Sequence, residues 1–252
     1  MSEYVRSTTF IPRTEEEKIQ NFIESDNNSR LLCIHSNDKG GFGKTQLLLR
    51  TCAHYKKDAS FFVRQLIDFY HPDMRRNIAV IESIAKQLEL TQALNDIDTY
   101  RRSRLNRIVA HRQENISSQQ EENIEGLFKK FSAEYHERVS GNKEKIFIFL
   151  FDSYEHLQRA IDKHAHLEEH SHWIETKLIP LLINEPNVRV ILAGRRLPTE
   201  LSIPFNKLEV NPFTEALSID YLKHRDTLGA RGGIAVEEMR RLHWLTDGHP
   251  IF

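Results

Sequence analysis

Residues 31–45, LLCIHSNDKGGFGKT, pass from an apolar run into a glycine-rich turn that closes on Gly43, Lys44 and Thr45. That succession predicts a buried strand, a phosphate-binding loop and the start of a helix. Glycines let backbone N–H groups curl around phosphate oxygens, the lysine reaches the β- and γ-phosphates, and the threonine hydroxyl meets Mg²⁺. The helix running on through Gln46 aims its N-terminal dipole at the same anion. The residues assigned to the nucleotide are Gly40, Gly41, Phe42, Gly43, Lys44, Thr45 and Gln46. The pattern G-x-x-x-x-G-K-[ST] lacks its first glycine, because Asp38 stands there; the loop length is kept, and aspartate tolerates a left-handed backbone.

Further along, residues 145–152, KIFIFLFD, form a continuous apolar run ending in aspartate. A buried parallel strand looks like this when its terminal carboxylate, here Asp152, must hold a metal. Glu155 follows as the candidate to orient the attacking water. Residues 187–193, NVRVILA, make another strand, ending in Gly194, Arg195 and Arg196. An arginine at that edge faces the nucleotide crevice, and either one could sense the γ-phosphate. Lys44, Asp152, Glu155 and Arg195 are therefore the catalytic candidates, and Thr45 and Asp152 the Mg²⁺ ligands.

The remaining segments fill in an α/β pattern. Ile19, Phe22 and Ile23 lie at helical spacing after Thr14 and Glu17, which read as a capping box. Residues 60–68, SFFVRQLID, read as one unbroken second strand, and residues 74–90 as a helix with a broad apolar stripe. Residues 207–210 give a fifth strand, with helices at 173–183, 215–226 and 235–245. Residues 95–140 are helical in pattern but polar, and Arg101, Arg102, Arg104, Arg107 and Arg112 read either as a nucleic-acid or partner patch or as a solvated helical insertion, after which Leu127, Phe128, Phe131 and Tyr135 resume an amphipathic helix. His166, Glu169 and His170 spell H-x-x-E-H, a zinc-peptidase spacing, in a stretch that reads equally as a hydrophilic loop.

Composition bounds the alternatives. The 252 residues carry 39% hydrophobic and 28% charged side chains and a net charge of −1, which gives no electrostatic argument for nucleic acid or a membrane as the main partner. Two cysteines, Cys33 and Cys52, are too few for a disulfide framework and read as reduced core thiols. No apolar stretch approaches a membrane span, so the cytoplasm is the expected address.

The order of motifs resembles one family, the signal-transduction ATPases with numerous domains (STAND), which include the NB-ARC and NACHT groups. The stretches that carry the resemblance are FIPRTEEEKI, DKGGFGKT, FIFLFDSYEHL, VRVILAGRR, LEVNPFTEALSIDYL and LTDGHP. Two departures are Asp38 for a glycine and Pro12 for the glycine before Arg13. The resemblance implies an ASCE-type P-loop NTPase, a three-layer sandwich around a mainly parallel five-stranded sheet. Residues 1–212 would form the nucleotide-binding domain, and residues 213–252 the start of a helical lid that continues into sensor and effector parts, here or on a partner. It further implies ATP or ADP with Mg²⁺ as ligands, Arg195 as first sensor and Pro250 as the adenine contact. The expected function is a slow ATPase switch that self-associates on activation in signalling or defence. A catalytically weak nucleotide-binding scaffold and a DNA-associated ATPase remain as alternatives.

Overall fold

The computed structural model describes residues 13–25, 29–37, 40–110, 116–163, 172–229 and 234–248. Among them, β1 (Leu31–His35), β2 (Phe61–Phe62), β3 (Leu66–Asp68), β4 (Ile146–Asp152), β5 (Val188–Ala193) and β6 (Asn206–Glu209) form one sheet. Its order is β2, β4, β5, β1, β6, with β3 also beside β4. Every pairing is parallel, and β5 separates β1 from β4. The C-terminal ends of β1, β4 and β5 therefore emerge along one edge, where the glycine loop, Asp152 and Arg195 follow them.

The α/β architecture is the expected one, but the sheet has six strands rather than five. The stretch read as a single strand is broken at residues 63–65, and its two pieces pair with β4 in different registers. Phe62 lies opposite Phe147 and Leu66 opposite Leu150, so four steps along the broken strand match three along β4. This one-residue excess is a bulge, uncommon in a parallel pair.

Side chains alternate between two covered faces, as a buried parallel sheet requires. On one face, α1 (Thr14–Glu24) and α2 (Lys44–Tyr55) bury Ile19, Phe22, Leu47 and Leu48 against Leu32, Ile34, Ile148, Leu150 and Ile191. On the other, α3 (Asn77–Leu88), α4 (Thr91–Ala110), α5 (Ile116–Ser140), α6 (Tyr154–Lys163) and α7 (Ile179–Ile183) cover Leu31, Cys33, Phe149, Phe151, Val190 and Leu192. Each large apolar side chain so buried contributes about 1.5–3 kcal/mol. Both cysteines are free and buried, and burial pushes the Cys33 thiol up, with Glu175 adding to it.

Several local readings change. Arg13, in extended conformation, occupies the N-cap of α1 and no side chain caps that end, so the Thr14 and Glu17 box does not form. The polar stretch 95–140 is two helices, and the second carries the expected amphipathic face into the core: Leu127, Phe131, Tyr135 and Val139, four residues apart, are all buried. The Tyr135 hydroxyl donates to the Leu182 carbonyl at 2.8 Å. The helix before β5 opens with a π turn, Ile174–Leu178, which carries the buried Glu175. Trp173, just before that turn, is buried and meets Phe128 edge-on at 5.2 Å.

The last two helices, α8 (Glu215–Gly229) and α9 (Val236–Thr246), pack mainly on each other. Trp244 on α9 is 79% exposed. The two ends of the pair are tied together at Phe213, whose N–H donates to the Gly248 carbonyl at 2.9 Å. Gly248 has φ +69°, and a Cβ there would lie 2.3 Å from the Phe213 carbonyl oxygen, so only glycine fits. No described helix is long and apolar enough to cross a membrane.

Candidate functional site

Gly43 is the N-cap of α2 with φ +86°, a left-handed turn that a Cβ would strain, and it delivers Lys44 and Thr45 into the first turn of the helix. The Phe42 side chain is 2% exposed and belongs to the core, so only its backbone faces the loop. Lys44 is 8% exposed, and its Nζ donates to Ser36 Oγ at 2.6 Å. Burial lowers its pKa; Arg195 adds to that, while Glu155 and Asp152 oppose it. One ammonium thus senses all three of the other catalytic candidates, which places the four together at one end of the sheet.

Asp152 is 2% exposed at the end of β4. Burial, with Asp68 and Glu155 adding to it, pushes its pKa up to about 6, against the opposing pull of the neighbouring Thr45 hydroxyl and Ser153 N–H. Its Oδ2 has no hydrogen-bond partner. A buried, orphaned carboxylate oxygen next to a threonine hydroxyl is a pair of hard donors open to a further ligand, and this fits Mg²⁺, which takes one or two carboxylates plus phosphate and water. Among the described residues, no group of three or more His, Cys, Asp or Glu side chains is placed to hold a metal by itself.

Ser153, at φ 58°, turns the chain straight into α6. Glu155 then meets Arg195, whose Nε and backbone N–H each donate to its carboxylate at 3.1 Å. The Arg195 guanidinium lies over the loop, where a Cβ on Gly40 would come within 3.0 Å of Nη2. Arg196 is exposed, and of the two arginines Arg195 is the one at the loop.

Three residues here had no assigned role in the sequence reading. Ser36 receives Lys44. Asp68 lies opposite Asp152 in the register of β3 and β4. Arg13, 7% exposed, donates to the Phe42 carbonyl at 2.7 Å and to the Asn211 carbonyl at 2.7 Å. It also forks onto Glu15 and lies 4.9 Å from the Phe213 ring centre. It fastens the loop to the segment that leads into α8. Asp68 was visible as the polar end of a strand, and Arg13 as a basic residue in a quoted motif.

Asp38, Pro250, Arg112 and the pair His166 and His170 with Glu169 lie outside the described residues. Of the other arginines in that cluster, Arg101 is held by Glu82.

No family model matches the chain, and no curated protein does. Solved structures similar to it include a Walker-type ATPase of Pyrococcus abyssi, with 17% identity, 95% of this chain and 64% of that one covered, and a TM-score of 0.49. The origin recognition complex of Drosophila bound to DNA shares 17% identity over 84% of this chain and 46% of its own, with a TM-score of 0.49. A STAND protein with a tetratricopeptide-repeat sensor from Pyrococcus horikoshii shares 17% identity, 97% of this chain and 29% of its own, with a TM-score of 0.47. The chain thus spans less than two thirds of the length of each.

Proposed function

We propose that this chain is a nucleotide-binding module that holds ATP or ADP with Mg²⁺ on the loop of residues 40–46 and hydrolyses ATP slowly. The observation that carries the reading is the buried Asp152 carboxylate, one oxygen of it without a hydrogen-bond partner, in the neighbourhood of Lys44 and Thr45. Backbone N–H groups of Gly40, Gly41, Phe42 and Gly43 surround the phosphates, Lys44 leaves Ser36 to meet the β- and γ-oxygens, and Gln46 lies in the first turn behind them. Thr45 and Asp152 would hold the metal, which when bound supplies charge neutralisation on those phosphates. Pro250 is assigned to adenine on the motif resemblance.

The finer reading is a switch of STAND type, in which the bound nucleotide sets the placement of the helices after residue 212 and thereby self-association. The order of motifs supports it, and so does Arg13, which bonds both the loop and the start of that segment. A ligand that prefers one arrangement of the loop prefers one placement of the helices, and differential affinity is what moves such an equilibrium. A second reading, a module that retains nucleotide with weak turnover, is favoured by the commitment of Glu155 to Arg195. The arginine-rich α4 lends nothing to a DNA-associated role through Arg101, which is paired.

Titration of the full chain with ATP and ADP, with and without Mg²⁺, tests the proposal. Dissociation constants at or below the millimolar range, weakened about 10–100-fold by Lys44→Ala as expected for a lost charge-assisted bond, are the expected result. No binding at millimolar nucleotide would reject it.

A further inference from the structure

Both oxygens of Glu155 are occupied by Arg195, while a second carboxylate, Asp68, stands next to Asp152 on the adjoining strand. Which face Asp68 takes is decided by the bulge. Phe61 packs toward α1 and α2 and Phe62 toward the opposite helices. Strict alternation from there would turn Ile67 toward α2 and Asp68 away from it. The extra residue at 63–65 reverses the parity: Leu66 packs on the α2 side, Ile67 on the other, and Asp68 returns to the α2 side, level with Asp152. Bulges beside active sites commonly re-aim a side chain in this way. The result shows in the electrostatics, since Asp68 is one of the two charges that Asp152 feels as repulsive. The carboxylate is held but not consumed. Its Oδ1 accepts the Tyr70 N–H at 2.9 Å, and its Oδ2 has His71 Nε2 at 4.0 Å, beyond hydrogen-bond reach.

We propose that Asp68 is the residue that positions and deprotonates the water in ATP hydrolysis, a role that rests on the nucleotide reading above. The water oxygen forms a bond to the γ-phosphorus, and the bond from that phosphorus to the β,γ-bridging oxygen breaks. The bridging oxygen keeps the electron pair as part of ADP. The water proton passes to the Asp68 carboxylate and from there to the departing phosphate. Glu155 holds Arg195 over the loop and takes no proton.

The test compares the full chain with Asp68→Asn, measuring ATP turnover at saturation and, separately, the dissociation constants of ATP and ADP. Asparagine keeps an oxygen for the Tyr70 N–H but takes no proton; should that variant fail to fold, Asp68→Ser preserves the same bond. The expected result is a fall in turnover of at least about a hundredfold, the lower end of the usual span for general-base loss, with nucleotide affinity changed less than about threefold. A smaller fall in turnover, or a parallel loss of affinity, overturns the assignment. A wild-type chain that binds nucleotide without hydrolysing it also overturns it while leaving the nucleotide site intact. A chain that binds none removes the reading beneath it.

Discussion

Glu155 accepts hydrogen bonds from Arg195 through both carboxylate oxygens, one from the side chain and one from the backbone, each at 3.1 Å. The arginine is thereby parked against the loop rather than offered to a phosphate. Glu155→Gln keeps an acceptor for the backbone N–H and removes the charge that holds the guanidinium. The pair is partly exposed, with the Arg195 side chain at 36%, so its release is worth only about 1 kcal/mol. ATP affinity is expected to rise about three- to fivefold with ADP affinity unchanged, read by competition against a fluorescent nucleotide. Equal gains for both nucleotides would show that Arg195 does not meet the γ-phosphate.

Burial lifts Asp152 from an ordinary 3.8 to about 6. The folded chain holds that proton more tightly than the unfolded one. Its contribution to stability is therefore whole below pH 3.8 and disappears as pH rises through 6, a loss on the order of 3 kcal/mol. Urea unfolding in EDTA without nucleotide should show this slope in the wild type. Asp152→Asn should remove it and be the more stable protein at neutral pH. If both proteins trace the same pH dependence, the carboxylate is not strained in the ligand-free fold.

Arg13 and Glu15 are both nearly buried, with side chains 5% and 11% exposed. Arg13→Ala leaves a buried carboxylate and two backbone carbonyls without their donor, and is expected to cost about 3 kcal/mol or more. Arg13→Lys should recover less than half of that, because an ammonium cannot reproduce the planar fork that reaches Phe42, Asn211 and Glu15 together. Chemical denaturation of the three proteins decides it; a lysine variant as stable as wild type would show that charge alone matters.

Beneath the site, Glu175 is 0% exposed and accepts from the Tyr154 hydroxyl and, at 2.5 Å, from the Glu200 N–H. Burial and the nearby glutamate drive the Tyr154 hydroxyl well above its ordinary pKa. Tyr154→Phe and Glu175→Gln should each cost roughly 2–3 kcal/mol, and the double variant at least about 1 kcal/mol less than the two together. Additive losses in that cycle would mean the two residues act independently.

Much of this was legible in residue order. The apolar runs of β1, β4 and β5 are buried on both faces, and such strands announce themselves without alternation. Lys44, Asp152, Glu155 and Arg195 are brought together because each follows directly on one of those strands or the loop. What escaped depends on relations the chain does not encode locally. Asp68 changes face through a bulge that inserts one residue into an otherwise regular pattern. Arg13 takes its meaning from Asn211, nearly the whole chain away. Thr14 could not cap α1 because the extended residue before it already occupied the cap. Leu127, Phe128, Phe131 and Tyr135, by contrast, were legible as the apolar face of an amphipathic helix, and their buried stripe continues to Val139.

The two tryptophans sit in opposite surroundings, Trp173 packed against Phe128 and Trp244 open to water on α9. Their emission should separate accordingly, a blue-shifted component from the helical layer over the sheet and a red, readily quenched one from the terminal helix pair. The native chain therefore carries its own optical probe of each part. Nucleotide that shifts only the red component has moved α9 and left the core alone.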